Sequence, residues 1–65
     1  MQILVNSEPR EIEGSTLADL LRELGFAGAV VATAVNGNFV PVGQRPTRKL
    51  READRVEVLA PMQGG

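Results

Sequence analysis

The sequence predicts an α+β domain, a mixed sheet of four to five strands with one main helix across one face. Three observations predict it. Leu17, Leu20, Leu21 and Leu24 recur at i, i+3, i+4 and i+7, the apolar stripe of a helix that lies on a core. Asn36-Gly37 separates two short apolar runs, a strong two-residue hairpin signal. Segments of alternating residues, around Ile3 and Val5 and around Val56 and Val58, stand at the two ends of the folded part.

The elements follow in order. Met1 to Asn6 reads as a strand, with Ile3 and Val5 alternating against Gln2, Leu4 and Asn6. Ser7-Glu8-Pro9 reads as a turn, because Ser7 favours turn geometry and Pro9 has no donor for a ladder. Arg10 to Glu13, with Ile12 among charges, would pair back on the first strand. Thr16 is a good N-cap, and Asp19 three residues on completes a capping box with a shorter acid. Arg22 and Glu23 point away from the leucine stripe, and Gly25 ends the helix as a left-handed cap.

Residues 26–29 connect. Val30 to Asn36 reads as a buried strand, and both of its faces are small and apolar, so its inward face stays open. Phe39-Val40 returns from the Asn36-Gly37 turn, and Pro41 confines that strand to an edge. From Val42 to Ala53 the chain is irregular, and Pro46 would start a short helical turn. Val56 to Leu59 is the last strand. A helix that follows a first hairpin must cross the sheet it has begun, and the crossover rules then place the last strand beside the first in the sheet centre. That is the β-grasp arrangement, predicted for residues 1–59, with residues 60–65 as a flexible C-terminal tail.

Composition narrows the chemistry. The 65 residues include no Cys, His, Tyr or Trp, so zinc and iron–sulfur sites are excluded. No metal site is expected, and no catalytic residue of the chain's own. A net charge of −1 and two aromatics, Phe26 and Phe39, argue against a nucleic-acid surface. No apolar run reaches membrane-spanning length, and Met1 leads into MQILVN without a basic, cleavable leader pattern. A cytoplasmic protein without a membrane or nucleic-acid partner is expected.

The sequence closes on Gly64-Gly65, a pair that chance alone would place there in about 1% of chains of this composition. A glycine carboxylate is sterically open, and a doubled glycine threads where any Cβ would clash. With side-chain nucleophiles so scarce, the Gly65 carboxylate is the expected reacting group. The six residues beyond Leu59 span at most about 20 Å when extended.

The segments AVNGNFVP (34–41) and LREADRVEVLAP (50–61), with MQGG at the end, carry a family resemblance over essentially the whole chain. The sequence resembles the ThiS family of sulfur carriers of thiamine biosynthesis, which have the ubiquitin-like β-grasp fold. Each motif is weak alone; their joint presence, in order and at this length, is specific. One departure is Ala53-Asp54, where the family usually has Gly-Asp; it implies a different turn or modest strain there.

The resemblance implies a carrier and not an enzyme. An E1-like adenylating enzyme would join Gly65 to AMP, using ATP and magnesium; the carrier itself would bind no cofactor. Sulfur from a cysteine desulfurase or another donor would then give a thiocarboxylate, and thiazole synthase would take that sulfur into the thiazole ring. A carrier that held sulfur as a cysteine persulfide is excluded by the missing Cys. The small subunit of molybdopterin synthase and a ubiquitin-like protein modifier share the architecture and the carboxyl activation. The former chains are usually longer and often read proline-proline near the end, where this one has Ala60-Pro61. A fourth reading is a plain interaction module with an inert tail.

Met62, Gln63 and Gly64 are expected to enter a partner's active site with Gly65. If Ile3, Val5, Val56 and Val58 face the helix, alternation puts Leu4 and Leu59 on the open face, as an apolar pair for partner docking or as ordinary scattered surface residues. Arg45, Arg48, Lys49 and Arg51 read as a solvated loop diluted by Glu52 and Asp54.

Overall fold

The computed structural model describes residues 1–60; the expectations for Pro61, Met62, Gln63, Gly64 and Gly65 lie outside the described residues. The elements are β1 (Gln2–Val5), β2 (Glu8–Glu11), α1 (Leu17–Glu23), β3 (Ala32–Val35), β4 (Asn38–Val40), a 3-10 turn (Val42–Gln44) and β5 (Arg55–Leu59). The five strands form one sheet in the order β2-β1-β5-β3-β4. β5 runs parallel to β1, and the other pairings are antiparallel. The last strand thus lies beside the first in the sheet centre, the β-grasp arrangement.

The first hairpin turns earlier than expected. Val5 pairs with Glu8, so the loop is Asn6-Ser7, with φ of 50° and 70°. Two consecutive positive φ values are the signature of the mirror-image turn that matches strand twist. Glu8 and Pro9 therefore belong to β2. Pro9 is tolerated opposite Leu4 because β2 is an edge strand with one side unpaired. The second hairpin turns where expected: Val35 pairs with Asn38 across Asn36-Gly37, at φ 50° and 84°. Gly37 carries the larger positive φ, which a side chain would strain.

β3 begins at Ala32, not Val30. Ala32 is already opposite Leu59, the last residue of β5, so Val30 and Val31 have no rung to join. Its inward residues are Thr33 and Val35, both buried. The helical turn sits at Val42–Gln44, before Pro46. Pro41, in extended conformation, caps it, and the Gln44 amide donates to the Pro41 carbonyl at 2.9 Å.

The helix is capped at both ends. The Asp19 amide donates to Thr16 Oγ1, and Asp19 Oδ2 accepts from the Thr16 amide, each at 3.1 Å. The amides of Leu17 and Ala18 donate to the carbonyls of Arg48 and Arg45, and that of Leu20 to Thr16. All four amides that a helix start leaves orphaned are therefore paired. At the far end Gly25 has φ 85°, its amide reaches Arg22 and the Phe26 amide reaches Leu21, a Schellman closure. Leu17, Leu20 and Leu21 join Ile3, Val5, Ile12, Val35, Val40, Leu50, Val56 and Val58 in one buried cluster, with Leu24 partly buried against it. A core this small leaves little reserve, so each of these side chains matters.

Candidate functional site

The sheet has one covered face and one open face. Ile3, Val5, Val56 and Val58 are buried on the helix side. Alternation turns Leu4, Arg55, Glu57 and Leu59 to the other side. Ala32 lies opposite Leu59, and Ala34 lies between Glu57 and Phe39, which completes the same face. Leu59 is 61% exposed and Phe39 69%; Leu4 is half-buried.

Leu4 and Leu59 share this face but do not form an adjacent pair. Leu4 is in register with Arg55, four residues from Leu59 along β5, or about 13 Å at a strand's rise per residue. Glu57 lies between. Leu4 and Leu59 both line one broad hollow on this face, and Leu59 also gathers Ala32, Ala34 and Phe39 around a smaller depression. The apolar patch is thus centred on the β5-β3-β4 side, and Phe39 is a member that alternation around Leu4 alone does not find. The Asn36-Gly37 turn held the signal: a two-residue loop puts Phe39 opposite Ala34.

Hydrogen bonds hold β5, the strand that leads toward Gly65, at both ends. At its start the Arg55 amide donates to Asn36 Oδ1 at 2.9 Å, and the Asn36 amide donates to the Arg55 carbonyl at 2.7 Å. Asn36 Nδ2 donates to Asp54 Oδ1 at 3.0 Å. Burial pushes the Asp54 carboxyl up, but the bonds from Asn36 and from the Arg51 amide, with the charges of Arg48 and Arg51, outweigh it and leave its pKa lowered. At the other end Asn6 bonds to Val58. Before β5 the Asp54 amide closes a turn on the Arg51 carbonyl, and Ala53 sits in it at φ 70°. Ala53 therefore adopts the conformation that a glycine would take, with the strain of a Cβ there.

The basic group is not one solvated loop. Arg45 Nε donates to Thr33 Oγ1 at 3.0 Å and its Nη2 to the Val31 carbonyl at 2.7 Å. Arg48 Nη1 donates to the Lys49 carbonyl. The backbone of this segment is tied to the helix start, through Leu50 to Ser15 and Leu17 to Arg48. Lys49 and Arg51 are exposed, as expected of a solvated pair.

The described carboxylates with shifted pKa values are structural. Asp19 is lowered from 3.8 to about 2, chiefly by the amides of Ser15 and Thr16. Glu23 is lowered by the amides of Glu13 and Gly14. Acids held ionised by backbone donors are poor proton donors at neutral pH. Among the described residues no cluster of three or more acidic, His or Cys side chains is placed to hold a metal. No described helix is long and apolar enough to cross a membrane. The predicted reacting residues Gly65, Gly64, Gln63 and Met62 lie outside the described residues.

Comparison with known proteins gives concordant results. A family model described as the ThiS family matches residues 3–65. The chain is 43% identical over 63 residues to the sulfur carrier protein ThiS of Thermus thermophilus, covering 97% of this chain and 98% of that protein. A crystal structure of the thiamine biosynthesis protein ThiS from Geobacter metallireducens superposes with a TM-score of 0.83 at 29% identity, covering 100% of both chains.

Proposed function

The chain belongs to the ThiS family, and from that premise we propose that it is a sulfur carrier that works with partner enzymes, with the Gly65 carboxylate as its reacting group. The observation that carries this reading is a junction. The central strand β5 ends at Leu59 on the open apolar face, and only five residues separate Leu59 from Gly65.

The chemistry needs an activating step. A carboxylate repels nucleophiles and has no good leaving group. In an adenylating partner one carboxylate oxygen attacks the α-phosphorus of magnesium-bound ATP and pyrophosphate leaves. A sulfur nucleophile, delivered by a cysteine desulfurase or another donor, then attacks the acyl carbon and AMP leaves with the bonding pair. Sulfide gives the thiocarboxylate directly, whereas a persulfide gives an acyl disulfide whose S–S bond a thiol reduces, leaving the thiocarboxylate and a disulfide. The resulting thiocarboxylate is itself a nucleophile. Thiazole synthase would take its sulfur, and hydrolysis would return the carboxylate. Gly64 would keep the approach narrow, and Met62 and Gln63 would enter the partner's active site with it. The patch of Leu59, Phe39 and Ala34, with Leu4 at its far side, is the docking surface in this reading, and Glu57 within it would select a partner that presents a cation. The carrier supplies position, the partners supply acid–base and nucleophilic groups, and the process is cytoplasmic.

Intact-mass measurement tests the reading. Protein from cells able to load it should contain a fraction with one oxygen replaced by sulfur. Incubation with the activating enzyme and ATP should give the adenylate. Deletion of Gly65 should abolish both while the domain stays folded; a truncated chain that is still loaded normally refutes the mechanism. Gene deletion should create a thiamine requirement, whereas a molybdenum-cofactor defect would assign the chain to the molybdopterin branch.

A further inference from the structure

The side chain of Asn6 does the work of a missing strand residue. β1 pairs with β5 only at Leu4–Arg55 and Val5–Val56, and the chain then turns away at Asn6-Ser7. The Asn6 amide makes the last backbone rung, to the Val56 carbonyl at 2.9 Å. β5 continues for three more residues, and Val58 turns both its amide and its carbonyl toward the space where β1 has ended. The Asn6 carboxamide fills that space: Oδ1 accepts from the Val58 amide at 2.9 Å and Nδ2 donates to the Val58 carbonyl at 3.1 Å. The pair reproduces one more rung of ladder across a sequence separation of 52 residues. Both groups are partly buried, so their loss would leave two backbone groups without their partner.

We propose that Asn6 is a positioning residue for the Gly65 carboxylate: by completing the β1 side of β5 through Val58, it fixes the position and direction of Leu59, from which the reacting end departs. The inference rests on the carrier reading above. Its logic is conformational. Without the carboxamide, residues 57–59 are held on the β3 side alone, by the Ala34–Glu57 and Ala32–Leu59 rungs. Part of the population then has a frayed strand end, and a partner that needs the ordered end binds with an affinity reduced by that fraction. Once bound and ordered, the carboxylate reacts at its normal rate. KM rises and kcat does not.

Asn6→Gly separates this role from turn formation. Gly accepts the φ of 50° at position 6 without strain, so the hairpin survives while the carboxamide is removed. Two measurements follow on the full chain. Hydrogen exchange should show the Val58 amide losing protection by about tenfold or more, with the Leu20 amide in the helix unchanged. Loading by the activating enzyme with ATP should show KM raised about fivefold at unchanged kcat. Thr16→Ala, which weakens the helix cap on the far side of the sheet, should leave both loading parameters at their parent values. Asn6→Asp gives the second reading should the glycine variant not fold. It keeps the acceptor for the Val58 amide, sets a carboxylate against the Val58 carbonyl, and should raise KM in the same way.

Parent-like KM in a folded Asn6 variant overturns the proposal, as does a loss confined to kcat or an equal KM rise in Thr16→Ala. If the parent itself is not loaded by ATP and the activating enzyme, the carrier reading has failed. The exchange of Val58 then judges the Asn6 clamp separately.

Discussion

Arg45 Nε donates to Thr33 Oγ1 at 3.0 Å, and that hydroxyl donates onward to the Val40 carbonyl at 2.9 Å. Thr33 is a polar side chain buried in an otherwise apolar cluster, at 2% exposure. The relay ties the segment after the 3-10 turn to the two strands β3 and β4. Loss of either side chain removes the Arg45–Thr33 bond, although the Thr33 hydroxyl keeps Val40, so the two contributions are coupled. Thr33→Val should destabilise the fold by about 1–2 kcal/mol, and Arg45→Ala by about 1.5–3 kcal/mol. In urea unfolding the double variant should lose less than the sum of the singles. Strict additivity would mean that the relay carries no coupling.

Acid should weaken the fold through its cap. Asp19 and Glu23 are lowered in the folded chain by backbone donors, and Asp19 reaches about 2. A folded pKa below the unfolded value stabilises the fold above the unfolded pKa. That contribution is lost as pH falls through the folded value. Stability should therefore be level above about pH 5 and decline steeply toward pH 2. Asp19→Asn should flatten this decline in a thermal-melt series against pH. If the variant follows the parent's curve, the capping carboxylate is not its source.

Ala53 is held at φ 70° in the turn before β5. Ala53→Gly removes the Cβ strain at the expense of a more flexible unfolded chain. The net gain should be about 0.5–1 kcal/mol. In a domain of this size that raises the melting midpoint by a few degrees, about 2–8 °C. A lower midpoint would show that the surroundings already relieve the strain.

Leu59 and Phe39 should matter for partners and little for the fold. Both are largely exposed, so Leu59→Ser and Phe39→Ser should each shift stability by about 1 kcal/mol or less. Titration calorimetry with the activating enzyme should show the double variant binding at least about tenfold more weakly, a loss of about 1.4 kcal/mol. Parent-like affinity would place docking elsewhere on the domain.

Local rules explain what was legible. The leucine stripe and the Thr16–Asp19 box lie within a few residues of each other, and the helix formed as their spacing requires. The alternation of Ile3, Val5, Val56 and Val58 was enough to assign a covered and an open face. Misplaced boundaries have non-local causes. Val30 and Val31 have strand-forming side chains but no partner opposite, because β5 ends at Leu59. Pro9 reads as a turn residue until β2 is seen to be an edge. Arg45 reads as solvated until the sheet brings Thr33 beside it.

The sequence by itself determined the α+β class, the helix with its caps, the Asn36-Gly37 turn and the glycine pair at positions 64 and 65. These depend on periodicity and on the conformations that single residues allow. Tertiary structure alone decided the inward face of β3, the placing of Phe39 beside Leu59, and the use of Asn6 as a rung for Val58. Those relationships join residues that chain order separates, by 52 positions in the case of Asn6 and Val58. A carboxamide in a turn carries no sign of which backbone it will meet. Only sheet formation brings Val58 to it, because β1 stops short and leaves that strand's amide and carbonyl in need of a partner.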